Sequence, residues 1–120
     1  MELSELEKKK PLHFIGIGGV GMSALASYFL DGSHAVKGSD LSSSKSTEWL
    51  KGKGAKIYFG QKDDQVESTD LVIYSSDIKE DNPELVSAKR QGCPLYHRSD
   101  LLAWIANNRY SIGIAGTHGK

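Results

Sequence analysis

The chain has 120 residues, 38% apolar and 25% charged, with fifteen basic side chains against fifteen acidic ones. That length carries about one domain with a proper core, and the cancelled charge argues against a broad electrostatic footprint for nucleic acid, so an anionic ligand has to be held locally. A lone Cys93 rules out an internal disulfide, no Cys/His spacing suggests zinc or another metal, and no apolar stretch approaches a membrane span; a cytoplasmic location fits.

Residues 1–11 are charged, lack the apolar core of a signal peptide, and read as a flexible tail stopped by Pro11. Leu12 to Ile17 is an apolar run in the pattern of a buried strand. Met22, Leu25, Ala26, Phe29 and Leu30 then recur at the spacing of one apolar helix face. Asp31-Gly32-Ser33 ends that helix, with Gly32 suited to a left-handed cap. Ala35 to Gly38 is a second strand, closing at Ser39-Asp40. Residues 41–45 read as loop, Ser46 to Lys53 as a helix carrying Trp49 and Leu50, and Ala55 to Phe59 as a third strand. Gly60 to Thr69 is a polar connector with at most a helical turn, and Leu71 to Tyr74 is a fourth strand. Asn82-Pro83 starts a helix, because asparagine caps and proline is tolerated at the first helical position; it runs to Gln91, with Gly92 past its end. Leu95-Tyr96 is a fifth strand, and Ser99 or Asp100 caps a last helix carrying Leu101, Leu102, Trp104 and Ile105. Asn107-Asn108 marks a joint, and Ser111 to Ala115 reads as a new strand. Alternating strands and helices predict an α/β fold, a parallel sheet with helices on both faces.

Gly16, Gly18 and Gly21 match G-x-G-x-x-G between a strand and a helix. Gly16 permits the tight turn, Gly18 lets the backbone approach a diphosphate, and Gly21 lets the helix pack on the strand. The helix N-terminus adds unpaired N–H groups and partial positive charge. Asp40, about 20 residues on, can accept from a ribose hydroxyl or a base N–H. Spacing does not separate NAD from a uridine diphosphate ligand. Gly116-Thr117-His118-Gly119-Lys120 follows the apolar run Ile112 to Ala115 and reads as a shortened phosphate loop. The strict G-x-x-x-x-G-K-[ST] pattern fails, because Ile114 stands where its first glycine belongs. The mechanism survives: backbone N–H groups wrap phosphates and Lys120 neutralises the terminal ones.

The run from His13 through Gly16-Ile17-Gly18-Gly19-Val20-Gly21-Met22-Ser23 resembles the opening of the Mur ligases. Gly38-Ser39-Asp40, Ser75-Ser76, Asn82-Pro83-Glu84 and Gly116 to Lys120 match that family in order, over roughly Leu12 to Lys120. Asp77 departs from it, standing where a small residue is usual, and Ser99-Asp100 replaces alanine-glutamate after Arg98. The resemblance implies a Rossmann-like doubly wound sheet of about five parallel strands over residues 12–107. It implies that residues 108–120 are a linker and the truncated start of a central ATP-binding domain. The implied enzyme is an ATP- and Mg2+-dependent ligase of peptidoglycan synthesis that adds L-alanine to UDP-N-acetylmuramate. This chain would hold the UDP-sugar and, lacking catalytic residues, be silent by itself. By position, Gly18, Gly19, Val20, Gly21 and Met22 would bind the diphosphate. Ser39, Asp40 and Leu41 would border uridine, and Ser75, Ser76 and Arg98 would reach diphosphate or sugar. Gly116, Thr117, His118, Gly119 and Lys120 would serve ATP.

Simpler roles cover the other conspicuous residues. His13 and His34 read as structural, Trp49 and Trp104 as core or core edge, and Tyr58, Phe59 and Tyr74 as strand packing. Cys93 reads as a small buried residue. Two rivals stand: an NAD-binding dehydrogenase domain, which explains the glycines and Asp40 but not the second loop, and a regulatory nucleotide-sensing module without catalysis.

Overall fold

A computed structural model describes the backbone of residues 10–113 and the side chains of residues 10–106. Residues 1–9 of the expected 1–11 tail and the Gly116 to Lys120 loop lie outside the described residues. The elements in chain order are β1 (Leu12–Ile15), α1 (Val20–Asp31), β2 (Val36–Asp40), α2 (Lys45–Gly52), β3 (Lys56–Phe59), a 3₁₀ turn (Asp63–Gln65), β4 (Leu71–Tyr74), α3 (Pro83–Gln91), β5 (Leu95–His97) and α4 (Arg98–Gly113).

The five strands pair in parallel in the order β3-β2-β1-β4-β5. Side-chain alternation splits the core into two layers. Leu12 and Phe14 of β1, with Leu71 and Ile73 of β4, pack against α1, α2 and α4 through Leu25, Phe29, Leu50 and Leu101. Ile15 and Val72 face the other way, onto Leu85 and Ala88 of α3. β1 is buried on both faces, which is why it is apolar except for His13, whose buried ring pairs with Glu84. The chain winds outward from β1 through β2 to β3, then returns to place β4 on the other side of β1. That reversal opens a crevice beyond the carboxyl ends of β1 and β4, where doubly wound sheets take ligands.

Local chemistry accounts for most boundaries. Asn82 caps α3, its Oδ1 accepting from the Glu84 and Leu85 N–H groups at 2.9 and 3.3 Å, and Gly92 is left-handed at φ 74°. Ser44 and Thr47 form a reciprocal capping box that starts α2 one residue earlier than expected. α1 ends differently from its prediction. Gly32 has φ −88°, and Ser33 takes the left-handed position at φ 69°. The N–H groups of Ser33 and His34 close back onto the Leu30 and Phe29 carbonyls, a Schellman arrangement with the His34 ring against Phe29. The helix runs one residue further than the glycine suggested, so the left-handed site falls on serine.

Four further expectations are corrected. Residues 111–113 continue α4 rather than opening a strand. A helix closes its own hydrogen bonds, whereas a strand needs a neighbouring ladder to satisfy them. Neither Ser99 nor Asp100 caps α4, since both lie inside its first turn. Trp49 is 51% exposed, because the short helix α2 buries only Thr47 and Leu50, and Phe59 lies exposed on the edge strand β3. Among the described residues no helix is long and apolar enough to cross a membrane.

Candidate functional site

A cleft of about 990 Å³ lies beyond the carboxyl ends of β1 and β4. Its floor is the glycine turn between β1 and α1, and its walls come from the segments after β2, β4 and β5. Gly16 turns the chain at φ 79°, and the Gly16 and Ile17 N–H groups both donate to the Ser39 carbonyl, at 2.8 and 2.9 Å. This ends β1 at Ile15, short of the Ile17 read from sequence. Gly19 N–H folds back onto the Gly16 carbonyl at 3.1 Å. α1 then starts with no side-chain cap and no acidic residue in its first turn. The Val20, Gly21 and Met22 N–H groups precede the first intrahelical bond, Ser23 N–H to Gly19 O, so they carry the positive end of the helix dipole toward the cleft. Met22 contributes only its backbone there, for its side chain is buried in the core.

Asp40 braces this turn. Its Oδ2 accepts from the Gly18 N–H at 2.7 Å and its Oδ1 from the Leu41 N–H at 2.8 Å. A Cβ on Gly18 would lie 2.7 Å from Asp40 Oδ2 and 2.9 Å from Thr47 Cγ2. Gly18 thus admits the Asp40 carboxylate and the start of α2, a different reason from the ligand approach expected of it. Gly21 is also glycine for an unexpected reason. A Cβ there would lie 2.7 Å from Arg98 Nη1 and 3.0 Å from Arg98 Cδ, so the space holds an arginine rather than a strand. The Arg98 guanidinium lines the cleft and has no acidic partner among the described residues.

This geometry has known counterparts. Residues 11–110 match the Mur ligase family, catalytic domain. The chain belongs to the Mur ligase family. It is 47% identical to a UDP-N-acetylmuramate–L-alanine ligase of Clostridium botulinum over 115 residues, covering 95% of this chain and 25% of that one. It is 49% identical over 108 residues to a bifunctional MurC/Ddl enzyme of Chlamydia trachomatis, covering 90% of this chain and 13% of the relative. A crystal structure of UDP-N-acetylmuramate-alanine ligase from Thermotoga maritima superposes with TM-score 0.79 at 31% identity, covering 83% of this chain and 23% of that one. The chain spans a quarter or less of the length of these relatives.

In this Mur ligase fold the cleft gathers Gly19, Val20, Gly21, Met22, Asp40, Leu41, Ser75, Ser76 and Arg98 from the residues singled out by sequence. Val20 and Leu41 are 94% and 76% exposed beside it, apolar surface that no other described residue covers. Two predicted residues do not line the cleft. Gly18 sits behind the turn with its N–H taken by Asp40. Ser39 is fully buried and its hydroxyl donates to Glu84 Oε1 at 2.7 Å.

Glu84 is the residue that sequence reasoning missed. It is fully buried, and its carboxylate also accepts from His13 Nε2 at 2.6 Å, Gln65 Nε2 at 2.6 Å and the Lys62 N–H at 3.1 Å. Burial by itself would raise its pKa. The hydrogen bond and charge of His13, then the bonds from Ser39 and Gln65, outweigh burial and hold it below the usual carboxylate value. This carboxylate ties β1, β2 and the connector to the start of α3, where Asn82 and Pro83 form a wall of the cleft. In sequence Glu84 is one acid in a helix's first turn, which the helix dipole would already explain. Cys93 is buried as expected, and burial, then the Asp70 charge, push its thiol pKa up.

Proposed function

We propose that this chain holds UDP-N-acetylmuramate for an ATP-dependent ligase that joins L-alanine to it in peptidoglycan synthesis. The observation that carries the reading is Arg98: a guanidinium with no acidic partner among the described residues, packed on Gly21, beside the uncapped start of α1. Amide donors and a fixed fork of guanidinium donors suit a diphosphate, which needs several donors converging on adjacent oxygens. In this reading the Val20, Gly21 and Met22 N–H groups and Arg98 hold the diphosphate. Ser75 and Ser76 approach it from the end of β4. Leu41 supplies an apolar surface for the base, and Asp40 keeps the turn in shape while bordering the nucleoside. ATP with Mg2+ would supply the phosphoryl group that activates the muramyl carboxylate. Residues 116–120 lie outside the described residues and are assigned no step. A cytoplasmic location goes with this reading, consistent with the free thiol of Cys93.

The names of the relatives favour this over a dehydrogenase domain. Titration of the protein with UDP-N-acetylmuramate and, separately, NADH, followed by amide NMR, tests it. Shifts at Gly18 to Met22 and at Arg98 are expected with the sugar nucleotide. Arg98→Ala should weaken that binding by about tenfold or more, the scale of charge-assisted hydrogen bonds. Shifts at the glycine turn with NADH alone would overturn the proposal.

A further inference from the structure

β5 ends at His97, which pairs in register with Tyr74 at the end of β4. The Tyr74 ring meets the imidazole edge-on, with centroids 5.3 Å apart. The His97 N–H donates to Asp100 Oδ2 at 3.1 Å, which fixes the backbone from which the ring projects. The Ser99 N–H donates to His97 Nδ1 at 3.1 Å, and Ser99 Oγ lies 2.9 Å from the same nitrogen. A main-chain N–H can only donate, so Nδ1 must carry a lone pair. The neutral ring then bears its proton on Nε2. Nε2 lies 3.1 Å from Ser76 Oγ, and Ser76 lines the cleft.

The direction of this last bond follows. Nε2–H donates and the Ser76 oxygen accepts, which leaves the Ser76 proton free to point elsewhere. A serine nucleophile needs the opposite polarity, an imidazole that takes the hydroxyl proton. Phosphate oxygens at neutral pH are acceptors, so a hydroxyl committed to donating suits them. Without His97 the hydroxyl rotor has no preferred role.

We propose that His97 is a positioning residue: through its Nε2–H it turns the Ser76 hydroxyl into a donor toward a phosphate oxygen of the bound sugar nucleotide. The inference rests on the diphosphate reading of the cleft given above. His97 itself does not line that cleft and acts only through Ser76.

Long-range 1H–15N NMR of the imidazole reads the tautomer in the unsubstituted protein, with no variant to fold. A proton on Nε2 and a bare Nδ1 are expected in the neutral ring; the reverse tautomer overturns the proposal. Calorimetric titration with UDP-N-acetylmuramate then compares Ser76→Ala, His97→Ala, His97→Gln and the Ser76→Ala/His97→Ala pair. Each alanine variant should bind about tenfold more weakly, the effect of losing one hydrogen bond to a charged acceptor. The double variant should be no worse than Ser76→Ala, because both changes remove the same donor. Glutamine, which returns an N–H near the Nε2 position, should recover most of the loss. Losses that multiply in the double variant, or a His97→Ala protein that binds like wild type, overturn the relay alone. A wild-type protein that does not bind UDP-N-acetylmuramate overturns the reading of the cleft as well.

Discussion

Replacing Glu84 by glutamine changes one atom in a fully buried side chain and tests the internal brace of the cleft wall. Oε1 accepts from His13 and Ser39, and Oε2 from Lys62 N–H and Gln65. Glutamine offers one oxygen and one NH₂: turned toward Lys62 N–H and Gln65 the NH₂ faces two donors, so it turns toward Ser39 and His13, which can accept, and the charge-assisted bonds of the carboxylate become neutral ones. Bonds to a charged group contribute about 1 kcal/mol more than neutral ones, so over these four contacts, with some relaxation, the expected loss is about 3 kcal/mol. With a urea slope of about 2 kcal/mol/M, the unfolding midpoint should fall by about 1.5 M. The pH dependence has a definite sign. Glu84 is held below its unfolded pKa, so its contribution is complete above the unfolded value and is lost as pH falls through the folded one. Glutamine does not titrate, so the gap between the two proteins should narrow on acidification. Urea titrations of both proteins from neutral to acidic pH supply the measurement. A variant within about 0.5 kcal/mol of wild type, the usual range for surface changes, or a gap that widens in acid, would refute the reasoning.

Gly38→Ala should destabilise the protein by about 3 kcal/mol in the same assay, the upper range for overpacking. Its Cβ would lie 2.6 Å from the Phe14 carbonyl oxygen and 2.7 Å from Ile17 Cβ, neither of which is a flexible chain end. Gly21→Ala meets the movable guanidinium of Arg98 instead, and alanine favours a helix by about 1 kcal/mol over glycine. Its urea midpoint should therefore hold or rise while calorimetry shows UDP-N-acetylmuramate binding weakened by about tenfold, as the displaced arginine loses its charge-assisted bonds. A Gly21→Ala protein that binds normally would separate Arg98 from the ligand.

Residues that act on their own neighbours were legible in the chain. Asn82 and Gly92 bracket α3 because a cap and a left-handed stop are local chemistry, and β4 has the bounds expected of an apolar run between polar segments. The turn at Gly16 and the apolar stripe of α1 followed from the same kind of reasoning. Longer-range roles were not legible. Ser39 and Asp40 are adjacent in β2, yet one is sealed under Glu84 and the other faces the glycine turn, because successive strand residues point to opposite faces.

Sequence alone established the alternating order of strands and helices, the glycine signature at the first turn and the resemblance that named the family. Each depends on spacing within a few residues or on a pattern read along the chain. Only the tertiary structure decided that β4 lies beside β1, and so that Ser75-Ser76 and Arg98 share a cleft with the turn. It alone decided that Gly21 makes room for Arg98 and that Glu84 binds four donors. Strand order places residues tens of positions apart in contact, and an unpaired charge or a buried carboxylate is defined by what surrounds it, which no local spacing records.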